Sequence, residues 1–149
     1  MILDKQNEFS DSQAVTVTAI STNVVDTLPS TLTTGVLVSN LGGEEGGYLV
    51  VQVDTAFTGL TDLTISLESS STANLATSPT VHFKSGTLLP AALAAGKTLL
   101  SIPLPFGDYQ RYLGLRYTVT GTATAGAISA FIAAMPQTWK AYKASARPD

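Results

Sequence analysis

GDYQRYLGLRYTVTGTATAG, residues 107–126, decides how this chain is read. From Leu113 onward, Leu113, Leu115, Tyr117 and Val119 share one face of an extended backbone, and Gly114, Arg116, Thr118 and Thr120 share the other. A period of two is the signature of a strand with one face buried. A cluster of Tyr109, Arg111 and Tyr112 precedes the strand, and a turn made only of Gly, Ala and Thr is expected to follow it.

The same alternation recurs along the chain. Leu49, Val51 and Val53 are expected inward against Val50, Gln52 and Asp54. Leu63, Ile65 and Leu67 are expected inward against Asp62, Thr64, Ser66 and Glu68. Further strands are expected over 13–19 (Val15 and Val17 inward), 34–39, 79–84 (Val81 and Phe83 inward), 98–104 (Leu100, Ile102 and Leu104 inward) and 126–135. Turns are expected at LGGEEGG (41–47), FTGL (57–60), SSSTANLATSP (69–79) and PFGD (105–108). Only DKQNEF near the start and LLPAALAAG at 88–96 have room for a helical turn, and Pro90 and Gly96 keep the second short.

About eight strands without helices to cover a parallel sheet predict an all-β fold: an antiparallel β-sandwich, with a jelly roll as the eight-strand solution. An immunoglobulin-like sandwich is the alternative, but its Cys and core Trp landmarks are missing. The domain is expected over residues 13–135, between short arms at 1–12 and 136–149. In 126–135 both faces are apolar: Ile128, Ala130, Ile132 and Ala134 on one, Ala127, Phe131, Ala133 and Met135 on the other. The second face is expected to meet another layer or another subunit.

Composition narrows the function. The 149 residues suit one domain. Cysteine is absent, which removes disulfides, thiolate zinc sites and Cys nucleophiles. Charged residues make up 13%, about half the usual share, which favours a surface that packs against neighbours. A net charge of -3 argues against a direct nucleic-acid partner, which needs many cations facing phosphates. The start, MILDKQNEFSDSQ, lacks an apolar core of signal-peptide length and is expected to stay on the mature chain. LLPAALAAG and GAISAFIAAM are too short to span a bilayer, so no membrane partner is expected.

Chemistry is hard to assemble from this inventory. The one histidine, His82, is expected on an outward strand face with Thr80 and Lys84, far from the Ser and carboxylate a catalytic triad needs. One His cannot build a zinc site. Asp54, Asp62 and Glu68 are expected outward along a single hairpin, where an acid and base pair is geometrically possible but a solvated polar face is the commoner meaning. No catalytic residue, cofactor or metal site is therefore assigned, and the chain is not expected to be an enzyme. Tyr109, Arg111 and Tyr112 read equally as a recognition patch or as an intramolecular closure over Pro103 and Pro105.

Three blocks carry a family likeness: MILDKQNEFSDSQAVTVTA (1–19), VVQVDTAFTGLTDLTISLESS (50–70) and LPFGDYQRYLGLRYTVTGTATAGAISAFI (104–132). Together they resemble the capsid cement, or decoration, proteins of tailed bacteriophages. The resemblance implies a small jelly-roll protein on the outer surface of an icosahedral head, made in the bacterial host cytoplasm. It implies a homo-oligomer, dimer or trimer, that clamps neighbouring copies of the major capsid protein. On that reading the expected contacts are Ile2, Leu3 and Phe9 at one end and Trp139, Lys140, Tyr142 and Lys143 at the other. Tyr109, Arg111 and Tyr112 form a further patch, and the face bearing Phe131 is the expected homo-oligomer seam. A carbohydrate-binding jelly-roll module for host adhesion is the alternative, although aromatics make up only 7% of the chain.

Overall fold

The computed structural model describes residues 5–27, 40–41 and 47–133. Two long antiparallel strands organise them. β5 (Tyr48–Ser70) and β9 (Tyr112–Ala133) pair along their whole length, from Tyr48 opposite Ala133 to Ser70 opposite Tyr112. Shorter strands complete each half of this ladder. At one end β1 (Glu8–Ala14) lies on β9, and β7 (Thr98–Pro103) lies on β5. At the other, β2 (Ala19–Ile20) and β3 (Val25–Asp26) lie on β9, and β6 (Thr80–Lys84) lies on β5. A separate two-stranded ribbon joins β4 (Asn40–Leu41) to β8 (Gly107–Asp108). The two expected helical turns are short 3-10 turns at Lys5–Asn7 and Pro90–Ala92.

The expected turn at FTGL does not form, and the Gly, Ala and Thr run after Thr120 is not a turn either. Both lie inside β5 and β9, where four register shifts between Val53 and Asp62 bend the ladder without breaking it. Bulges absorb a bend by leaving extra residues unpaired, and glycine supplies the backbone angles that other residues resist. Gly59 has φ +84°, and a Cβ there would lie 2.6 Å from the Thr122 carbonyl oxygen. At Gly126 (φ +148°) a Cβ would enter the Phe57 ring. The elbow thus needs residues without a side chain on both strands.

Bending folds one sheet into the two layers of an antiparallel sandwich. Leu49, Val51, Val53, Ile128 and Ala130 from the first half share a core with Leu63, Ile65, Leu67, Leu113, Leu115 and Tyr117 from the second. These are the positions that the alternation assigned inward. Their removal from water supplies the main driving force for the fold.

Several expectations fail for local reasons. Val17 is 68% exposed, because β1 ends at Ala14 and residues 16–18 form a bend between strands. Val81 is 52% exposed while Phe83 packs on the core, because a register shift between Leu67 and Glu68 breaks the alternation on β6. Residues 8–12, expected in the N-terminal arm, are paired strand. The strand expected over 34–39 lies outside the described residues.

Candidate functional site

Several polar clusters among the described residues are placed by this frame. The first forms where β6 meets the segment leading into β9. His82 is half-buried rather than outward, and its ring stacks on Tyr109 with centroids 3.9 Å apart. His82 Nε2 lies 2.6 Å from the Oγ of buried Ser69, the hydroxyl that also accepts the Gln110 backbone N–H at 2.9 Å. The Ser69 hydroxyl thus bridges the His82 ring and the Gln110 backbone. Burial holds the His82 pKa below its ordinary value, in agreement with a neutral ring.

Tyr109 closes the same cluster. Its hydroxyl donates to the Pro105 carbonyl at 2.5 Å, and burial pushes its pKa up to about 12. The Gln110 side-chain amide donates to the Ser78 carbonyl and to Thr80 Oγ1. Of the two meanings the sequence left open for Tyr109, the geometry is that of the intramolecular closure. A Ser–His contact exists here after all, but Ser69 is fully buried and its hydroxyl serves two internal partners.

Arg111 and Tyr112 face the other way. The Arg111 guanidinium grips Asp26 through two nitrogens, at 3.0 and 2.9 Å, and sits 4.9 Å from the Tyr112 ring centroid. Both charged side chains are well exposed, so the pair contributes little to stability and stays available at the surface. Asp26 also lines an open hollow of about 470 Å³ with Gln6, Asn7, Val24 and Val25.

The candidate carboxylates are not brought together. Glu68, expected outward, is buried: it accepts from Arg116 Nε at 2.9 Å and from the Ser66 hydroxyl at 2.7 Å. Arg116 also donates to the Leu75 carbonyl, and Leu75 drops onto Gly114, which has no side chain to block it. Asp54 lies on the other half of β5 and accepts hydrogen bonds from Ser12 and Ser129. Asp62 sits at the elbow, opposite Thr120. This spread leaves no acid and base pair among the three.

Phe9 and Phe131 are buried, Phe9 in the main core. Phe131 instead pairs across the ladder with Val50 on the opposite sheet face, and Val50 is buried as well although the alternation points it outward. Ile2, Leu3, Trp139, Lys140, Tyr142 and Lys143 lie outside the described residues. Sequence reasoning missed Ser69, Gln110 and Leu75, because each acts through a partner far away along the chain. Phe106, in the expected PFGD turn, is an exposed apolar side chain, which a period-two pattern does not single out in a loop.

The terminal strands have one more relationship. Glu8 opens β1 directly opposite Phe131, two residues before β9 ends. The start of β1 and the end of β9 therefore lie side by side.

This geometry defines an all-β sandwich whose polar clusters tie its own segments together. Among the described residues no group of His, Cys, Asp and Glu is placed to hold a metal ion, and no helix is long and apolar enough to cross a membrane. The chain belongs to the Bbp16 family, whose family model matches residues 9–132. No curated protein matches it.

Proposed function

We propose that this protein is a capsid cement protein of a tailed bacteriophage, a homo-oligomer that binds the outer surface of the icosahedral head and holds neighbouring major capsid proteins together. The observation that carries the reading is the pairing of Glu8 with Phe131. The first strand begins beside the point where the last one ends, so contacts made from the two ends of the chain would start from one place on a docked sandwich. Once one segment is attached, the second attachment is intramolecular and small contacts gain avidity. The whole-chain resemblance in the three sequence blocks supports the same reading.

The mechanism is mass action rather than catalysis. A protein that binds only the expanded, assembled lattice lowers the free energy of that state with every site filled. Such a clamp opposes pressure from within the head. The acidic chain has no need to touch the packaged nucleic acid.

The test is to mix purified protein with undecorated, expanded heads and count bound copies by sedimentation and cryo-electron microscopy. Saturable density at fixed lattice positions, with added heat resistance of the heads, is the expected result and gives the oligomer symmetry. Absence of binding to intact expanded heads overturns the reading.

A further inference from the structure

Phe106 is 80% exposed, more than any other large apolar side chain among the described residues. Its surroundings are nevertheless fixed. The preceding carbonyl, of Pro105, accepts the Tyr109 hydroxyl, and Tyr109 is stacked on His82. Gly107 begins β8, which pairs with β4, and Gln110 is bonded to Ser69, Ser78 and Thr80. Pro103 and Pro105 restrict the backbone on the approach. The fold therefore holds a benzyl side chain in water on a braced segment and gains almost no burial from it.

We infer that Phe106 is the anchor of a protein contact and inserts into an apolar pocket on the partner's surface. An aromatic ring has few torsions to freeze, and a braced loop loses little further freedom on docking, so most of the ring's burial appears as affinity. The partner is the outer face of the capsid shell, an identification that rests on the function proposed above. A sugar is the other ligand that stacks on exposed aromatics, but it needs polar groups to orient its hydroxyls. Here the Pro105 carbonyl and the Gln110 amide nitrogen are already bonded within the chain. Residues 98–107 carry no charge, so docking around Phe106 desolvates none within that stretch.

The test is a binding titration on undecorated, expanded heads with wild type, Phe106→Ala, Phe106→Leu and Tyr109→Phe, alongside thermal unfolding of each. Phe106→Ala is expected to bind at least about tenfold more weakly with an unchanged melting temperature, as for other aromatic anchors. Phe106→Leu should keep much of the affinity. Tyr109→Phe, which frees the Pro105 carbonyl but leaves the ring, should fall between. If wild type binds and Phe106→Ala binds equally well, the anchor is overturned and the cement reading stands. If wild type does not bind heads, both fall. Binding to a glycan array that Phe106→Ala abolishes, without binding to heads, overturns the protein contact in favour of a sugar site.

Discussion

The hydroxyls of Ser10 and Tyr117 meet 2.8 Å apart in the buried space between the two halves of the folded sheet. Ser10 belongs to β1 and the first half, Tyr117 to β9 in the second. Ser10 also donates to Gln13 Oε1, so the Tyr117 hydroxyl is the donor between layers. Gln13 in turn accepts the Thr22 N–H and donates to the Ile20 carbonyl, which ties the short β2 strand to the same chain of bonds.

Tyr117→Phe removes that interlayer donor and leaves the ring in the core. The expected loss is about 1 kcal/mol of stability, read from urea denaturation. Burial raises the Tyr117 pKa above the ordinary 10. Its contribution is therefore complete below pH 10 and lost as pH rises beyond it, because the unfolded chain ionises first. The variant should show a shallower alkaline loss than wild type.

Gly126 to Ala probes the elbow. The added methyl meets the Phe57 ring, and the backbone angle is one that L residues resist. A loss of about 3 kcal/mol is expected from overpacking and strain together. Phe57→Ala in the same chain relieves the clash, so the double variant should lose less than the sum of the two single variants.

Glu68→Ala leaves Arg116 facing a buried gap. The Glu68 side chain is 6% exposed and Arg116 30%, so water recovers part of the loss. About 2 kcal/mol is expected, below the cost of breaking a fully buried pair. Because Arg116 also holds the Leu75 carbonyl, amide exchange in residues 71–79 should rise more than in the core strands.

His82 makes stability depend on pH below neutrality. Its folded pKa lies below 6.5, so the unfolded chain takes up the proton first as pH falls. The contribution is complete above pH 6.5 and decreases as pH falls below it until the folded pKa is reached. Urea midpoints between pH 7.5 and 5 should show this slope in wild type and a flatter one in His82→Gln. Equal slopes would show that His82 titrates alike in both states.

Leu49, Val51, Val53, Leu63, Ile65, Leu67, Leu113, Leu115 and Tyr117 were legible in the sequence as core positions, because alternation is local and burying one face of a strand forces it. That much determined the all-β class and the sandwich. The sequence equally determined the absence of thiol chemistry and of any multi-histidine metal site. Only the tertiary structure decided that FTGL and the Gly, Ala and Thr run are bends inside continuous strands. A turn and a bulged elbow use the same residues, and which one forms depends on whether a partner strand continues the ladder. The fate of His82, Glu68 and Phe131 was decided in the same way. Each looked outward by alternation, and each is covered or paired by a segment distant along the chain, whose arrival no local pattern records.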